Sequence, residues 1–254
     1  ADSDLGDQLI LRPYNKRVPI HARLSTSLFW TDNLAATATG KTEGFIWKNT
    51  AELNWTPRIG NNLFAKFSLS QDIYRHDRLE QNDFEHSFMH AGIVKLAPDF
   101  YDTLFFARFE YSRLTTGSIA NSAYGSSRFR VGAHKTFLST PRHNFYTSFD
   151  AAWDVNTTPN TSERNEYSGH MGYTYQFNDR LSGSVYYHLT NYDYRNNRSE
   201  MNHIYGAEIE YSLTNSTSLT ASLTRVNNDS NLATGTADYN STLGGLSLSY
   251  KMKF

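Results

Sequence analysis

From Leu246 to Phe254 apolar and polar residues alternate without a break. Leu246, Leu248, Tyr250, Met252 and Phe254 share one face; Ser247, Ser249, Lys251 and Lys253 share the other. Period two marks a strand whose two faces meet different surroundings. The same pattern predicts eleven more strands upstream: Ile20–Trp30, Gly44–Trp55, Leu63–Ile73, Phe84–Leu96, Thr103–Leu114, Ser127–Leu138, Asn144–Asp154, Glu166–Phe177, Arg180–Tyr192, His203–Leu213 and Ser218–Val226. Most run for about ten to thirteen residues, near the roughly 9–11 that a tilted transmembrane strand needs and about twice the length of ordinary strands.

The connections alternate in length. Short turns are predicted at 56–60, 98–99, 139–142, 178–179 and 214–216, and longer loops at 31–43, 74–83, 115–126, 155–165, 193–202 and 227–241. Barrels that span an outer membrane keep short turns on the periplasmic side and longer loops outside. An even strand count then puts both termini in the periplasm.

The faces are clear in two segments. Phe45, Trp47, Ala51, Leu53 and Trp55 share one side of the second strand, with Asn49 as the exception, and Lys48, Thr50, Glu52 and Asn54 share the other. Phe145, Thr147, Phe149, Ala151 and Trp153 alternate with Tyr146, Ser148, Asp150 and Asp154. Eight residues separate Trp47 from Trp55, roughly 20 Å along the normal for a strand tilted near 40°. Trp30, Trp47, Trp55, Trp153, Tyr175, Tyr211 and Phe254 are therefore expected at the membrane boundaries, where amphipathic rings collect. In Phe84–Leu96 the face bearing Glu85, Ser87, Met89, Ala91, Ile93 and Lys95 carries the charges and is expected inside.

Composition narrows the class. The 254 residues include 17 Tyr and 16 Phe, and aromatics make up 15% of the chain. In a soluble all-β core, Val and Ile carry more of the packing. The chain has no Cys, so disulfides and thiolate metal sites are excluded. A net charge of -1 excludes a general nucleic-acid binder. No apolar run approaches the roughly 18 residues of a transmembrane helix, so a membrane location requires a closed barrel. A mean hydropathy of -0.59 agrees with that, because half of every strand is polar. Residues 1–18 are polar and read as a periplasmic N-terminal tail or plug that begins like a mature N-terminus; residues 19–254 read as the barrel.

If the apolar faces meet lipid, the opposite faces line a lumen. The charged lumen set is Arg23, Lys48, Glu52, Lys66, Asp72, Glu85, Lys95, Arg108, Glu110, Arg128, Arg130, Asp150, Glu208, Glu210, Lys251 and Lys253. Arg108, Arg128 and Arg130 lie on neighbouring strands with His134 below them. Two readings stay open. Either the arginines form a track that attracts anionic solutes, or they pair with Glu110 and its neighbours in a network that fills the interior. Twelve strands fall between barrels filled by side chains and barrels with a wide channel.

Candidate chemistry is sparse. His134, His170 and His188 are expected in the lumen, and His86 and His90 are about 13 Å apart along a strand, too far to share a metal. No His-x-Ser occurs; the nearest spacings join His134 to Thr136 and His188 to Thr190. Residues 227–231 place oxygen side chains at alternate positions but lack the glycine and glutamate of a calcium loop. The expectation is no catalytic site, no metal and no cofactor.

The alternation and the terminal Phe254 resemble the bacterial outer-membrane β-barrel class, and the strand count resembles its twelve-stranded porin-like members. The resemblance implies an all-β, transmembrane antiparallel up-and-down barrel in contact with the lipid bilayer and lipopolysaccharide. The class includes oligogalacturonate and sialic-acid porins with arginine tracks, with which Arg108, Arg128 and Arg130 are compatible. It also implies that Phe254 is read by the barrel-assembly machinery. The expected function is a monomeric pore for small polar or anionic solutes or saccharides. The alternatives are a scaffold barrel that partners a lipoprotein, appendage or export complex, and a lipid hydrolase.

Overall fold

The structure, a computed structural model, describes residues 20–116, 122–232 and 237–254. The tail read at 1–18 lies outside the described residues. The strands are β1 (Ile20–Thr31), β2 (Gly44–Trp55), β3 (Arg58–Gly60), β4 (Leu63–His76), β5 (Phe84–Ala97), β6 (Thr103–Thr115), β7 (Ser122–Ser139), β8 (His143–Thr158), β9 (Arg164–Asn178), β10 (Leu181–Tyr194), β11 (Ser199–Ser212), β12 (Thr217–Ser230) and β13 (Tyr239–Lys253). β3 is a three-residue spur that pairs with β4 alone. The other twelve form one antiparallel sheet. It closes where β1 pairs with β13 on one side, Leu24 opposite Tyr250, and with β2 on the other, Leu24 opposite Ala51. Closure leaves no wall strand with an unpaired edge, which hydrocarbon demands.

All twelve predicted strands form, and several extend beyond their predicted ends towards the long loops. β7 reaches 18 residues and β8 reaches 16. Beyond the hydrocarbon both faces meet water, so these extensions need no apolar alternation.

The packing is inverted relative to a soluble domain. Leu24, Leu28, Trp47, Leu53, Leu69, Phe149, Leu246 and Leu248 are each 44–65% exposed on the outside. The buried apolar residues are Leu34, Val94, Tyr146, Ala152 and Tyr194, while the buried polar residues include Asp72, Glu110, Arg128, Glu166, Glu200, Asn202 and Ser249.

β5 corrects one expectation. Met89 and Ile93 are 47% and 49% exposed, whereas His90 is 4% exposed and Val94 7%. The face of His86, Phe88, His90, Gly92 and Val94 therefore points inward, and that of Glu85 and Lys95 outward. Those charges sit at the two ends of the strand. Glu85 pairs with Arg75 at 3.2 Å and Lys95 Nζ donates to the Asn61 carbonyl at 3.1 Å. An outward charge costs little near the interface, so end charges do not decide the orientation of a strand.

Inward glycines let rings lie flat on the wall. Tyr186 crosses Gly206, its register partner, and Tyr146 crosses Gly172. A Cβ on Gly206 would lie 2.0 Å from the Tyr186 ring. Gly206→Val should therefore lower stability by about 1–3 kcal/mol through overpacking. Denaturant unfolding in detergent measures this; an unchanged midpoint would mean that the ring swings aside freely.

Candidate functional site

The parity of each strand decides which charges enter the lumen, and the register decides which ones meet. Arg108 and Glu110 share the inward face of β6, opposite Arg130 and Arg128 of β7. Asp150 and Asp154 come from β8, and Arg164 and Glu166 from the start of β9. Arg108 Nε donates to Glu110 Oε1 at 2.7 Å, and Arg130 Nε donates to the same oxygen at 2.9 Å. Arg130 also pairs with Asp150, and its Nη2 donates to Glu166 Oε2 at 2.7 Å. Arg128 pairs with Glu166 Oε1, and its Nε lies 3.4 Å from Asp154 Oδ1. Arg164 Nη2 donates to Glu166 Oε1 at 3.0 Å.

The chain of contacts continues towards the long-loop end. Arg164 Nη1 donates to the Tyr194 hydroxyl at 2.8 Å, and that hydroxyl donates to Glu200 Oε2 at 3.2 Å. Glu200 in turn holds Arg198. Guanidiniums also cover tyrosine faces: Arg164 lies 4.0 Å from the Tyr192 ring centroid and Arg198 lies 4.4 Å from that of Tyr194. Such stacking suits the weakly hydrated guanidinium.

Glu166 is the hub. It is 5% exposed and accepts from Arg128, Arg130 and Arg164. The network as a whole joins five arginines (Arg108, Arg128, Arg130, Arg164, Arg198) to five carboxylates (Glu110, Asp150, Asp154, Glu166, Glu200). The charges balance, so the arginines do not present an unneutralised track to an anion. Of the two sequence readings, the geometry supports the paired network.

The opposite wall differs in side-chain size. Facing inward are Ser25 and Ser27 on β1, Ser68 and Ser70 on β4, Ser218, Thr220 and Ser222 on β12, and Ser247 and Ser249 on β13. Across the strands Ser27 Oγ donates to Ser247 Oγ at 2.9 Å, and Ser249 Oγ accepts from Arg23 Nη2 at 3.2 Å. Short hydroxyls reach little into the lumen. Long charged and aromatic groups project from most of β2 to β11, and the β12–β13–β1 wall is the one lined mainly by short side chains, with Arg23, Lys251 and Lys253 as its long ones.

The remaining candidates are dispersed. Lys48 pairs with Asp72 at 3.3 Å, and Glu52 accepts from Asn54 Nδ2 at 2.7 Å. Lys66 lies on the inward face of β4 in register with Arg108 across Gly92, and Glu208 and Glu210 lie on the inward face of β11 nearer the short-turn end. His134 lies 5.5 Å from the Tyr146 ring, which lies 5.4 Å from His170, itself 5.7 Å from His188. These histidines form a chain of tilted and edge-on ring contacts; among the described residues no group of three His, Cys, Asp or Glu is placed to hold a metal ion. Of the boundary aromatics, Trp30, Trp47, Trp55, Trp153, Tyr211 and Phe254 are 38–61% exposed on the outside. Tyr175 is half-buried against His143 and Phe177.

A second chain of contacts crosses β2, β4, β5 and β6. His86 Nε2 and Ser112 Oγ are 2.8 Å apart, and His86 Nδ1 lies 3.8 Å from Asp72 Oδ2. The residue types are those of a nucleophile, base and orienting acid. The carboxylate stands beyond hydrogen-bond distance, however, and is already held by Lys48 and Thr50. Ser112 also sits inside paired strand, where the backbone N–H groups that would form an oxyanion hole are committed to the ladder.

Glu166, Arg164, Glu200 and Arg198 were absent from the charged lumen set read from the sequence. Parity alone places Glu166 inward, because it is four residues from His170, which that reading does place in the lumen.

No family model matches the chain, and no curated protein matches it by sequence. Its similarity to known proteins is structural. A crystal structure of an outer membrane channel from Pseudomonas putida F1 aligns with TM-score 0.64 at 10% identity, covering 93% of this chain and 97% of that one. A bacterial polysaccharide outer membrane secretin aligns with TM-score 0.55 at 8% identity, covering 91% and 98%. The NanC porin aligns with TM-score 0.51 at 13% identity, covering 90% and 100%. The shared feature is the fold: this chain is a closed twelve-stranded antiparallel β-barrel, the architecture also found in those outer-membrane proteins.

Proposed function

We propose that the barrel is a passive pore of the outer membrane for small, uncharged polar solutes. The observation that carries this reading is the asymmetry of the lumen. A charge-balanced network occupies the side from β6 to β11, and the facing β12–β13–β1 wall bears mainly serines and threonines, with Arg23 on β1 and Lys251 and Lys253 at the short-turn end of β13 as its charged members. A solute on that side meets hydroxyls, which donate and accept hydrogen bonds without selecting a charge. Paired arginines hold their wall rigid and present little net field, so the network selects by size and hydrogen bonding rather than by ion sign.

Purified protein in planar bilayers should give discrete conductance steps, with a reversal potential close to zero under a potassium chloride gradient. Absence of steps at all voltages would sink the pore. Strong anion selectivity would instead restore the arginine track.

A scaffold barrel is the second reading, favoured by how much of the lumen the network occupies. It predicts no conductance together with a stoichiometric partner on purification. The lipid hydrolase reading has less support. His134 and His188 face the lumen rather than the lipid, and His188 Nε2 is engaged by Thr190 Oγ1 at 3.0 Å.

A further inference from the structure

The outer face of a barrel strand should be apolar throughout the hydrocarbon, and on β1, β2, β4 and β5 it is not. Thr26, Asn49, Gln71 and Ser87 all point outward on these four successive wall strands. Their depth follows from the tryptophans. Ala51 stands midway between Trp47 and Trp55 on the outer face of β2, and Gln71 is its register partner on β4. Asn49 is the next outward residue from Ala51 and is directly opposite Thr26. Ser87 is directly opposite Gln71. The stripe therefore starts at the middle of the apolar belt, at Gln71, and reaches towards the Trp47 boundary, where Asn49 is in register with Glu85 through Ile73.

These groups bond to one another as far as they can. Trp47 Nε1 lies 3.1 Å from Thr26 Oγ1 and 3.3 Å from Asn49 Oδ1, and Ser87 Oγ donates to Gln71 Oε1 at 2.5 Å. Each of these bonds uses a side-chain oxygen. The carboxamide nitrogens of Asn49 and Gln71 take no acceptor among the described residues, and lipid tails offer none. An unpaired amide in hydrocarbon is costly enough that such groups ordinarily face protein. Around them Leu24, Thr26, Asn49, Ala51, Gln71 and Ile73 help to line a shallow groove of about 450 Å³, and the small Ala51 at its centre allows close approach.

We propose that this stripe is the contact face of a two-fold dimer of the barrel within the membrane. A carboxamide carries both donors and an acceptor with two lone pairs. A second copy related by a two-fold axis along the membrane normal brings each N–H group to a carbonyl oxygen of the same patch on its neighbour. The surface is thus complementary to itself, as an isologous interface requires. Packing of small residues and hydrogen bonds across the contact supply the association that hydrophobicity does not supply in lipid. The assembly does not depend on whether the lumen conducts, and it replaces the single barrel expected from the sequence.

The chain has no cysteine, so crosslinking reports single positions without background. In intact outer membranes, Asn49→Cys and Gln71→Cys treated with a short bis-maleimide should give a dimer band. Leu223→Cys, on the outer face of β12, should not. Light scattering in mild detergent should give twice the chain mass for the parent protein. The double variant Asn49→Leu, Gln71→Leu should fall to one chain mass while keeping the heat-modifiable gel shift of a folded barrel. Failure of both cysteine variants to crosslink would overturn the proposal, as would equal crosslinking at Leu223→Cys. Crosslinking to a different protein would also overturn it, in favour of a heterologous partner.

Discussion

Glu166→Ala should destabilise the barrel by about 3–5 kcal/mol, the usual cost of removing one member from a buried ion network. The carboxylate serves three guanidiniums, and they lose unequally. Arg130 keeps Glu110 and Asp150, and Arg128 keeps Asp154 at 3.4 Å. Arg164 loses its carboxylate and retains the Tyr194 hydroxyl and the Tyr192 ring. A guanidinium can stack on a ring, but the ring does not neutralise it. The cost is therefore concentrated on Arg164, and Glu166→Gln, which restores an oxygen acceptor without the charge, should fall between. Denaturant unfolding in detergent, followed by the fluorescence of the outward tryptophans, measures both. Glu210→Ala is the control. That residue lies outside the network and should change stability by no more than about 0.5 kcal/mol. A Glu166→Ala barrel as stable as the parent would mean that lumen water already solvates the arginines. The same variant leaves five arginines facing four carboxylates, so its reversal potential should move towards anion selectivity.

The hub was within reach of the sequence, and it was missed for a physical reason. Alternation identifies a strand by the contrast between its faces, and the contrast ends where the strand leaves the hydrocarbon. Glu166 and Arg164 lie at that margin, so neither stood out as part of an amphipathic stripe. The partners are also remote in sequence: Arg128 and Glu166 are 38 residues apart, and only the register of β7, β8 and β9 brings them together. The inside and outside of most strands were legible because eight or more residues voted on each. β5 failed because its charges, Glu85 and Lys95, are at the ends, where orientation is nearly free. Its centre, with Met89 and Ile93 on one face and His90 and Gly92 on the other, gave the correct answer. The polar stripe on the lipid face was visible as the single exception Asn49. Its meaning needed Thr26, Gln71 and Ser87 beside it, which is again a matter of register.

Leu24→Arg should cost about 2–4 kcal/mol, the penalty for a charge on the lipid face at the midplane. Leu24 is 51% exposed and pairs with Ala51, midway between the two tryptophans of β2. A guanidinium there has no short route to either interface. The next residue provides the opposing experiment. Ser25 faces the lumen between Ser249 and Thr50, where an added arginine meets hydroxyls and the Arg23 guanidinium that donates to Ser249 at 3.2 Å. Ser25→Arg, beside Arg23, should cost less than about 1 kcal/mol in a solvated lumen and should reduce single-channel conductance, because it fills the wall assigned to the solute path. One position thus changes stability and its neighbour changes permeation, through the same substitution on one strand. If both variants lost stability equally, the assignment of faces would be wrong. If Ser25→Arg conducted like the parent, the hydroxyl wall would not be the path, even in a barrel that conducts.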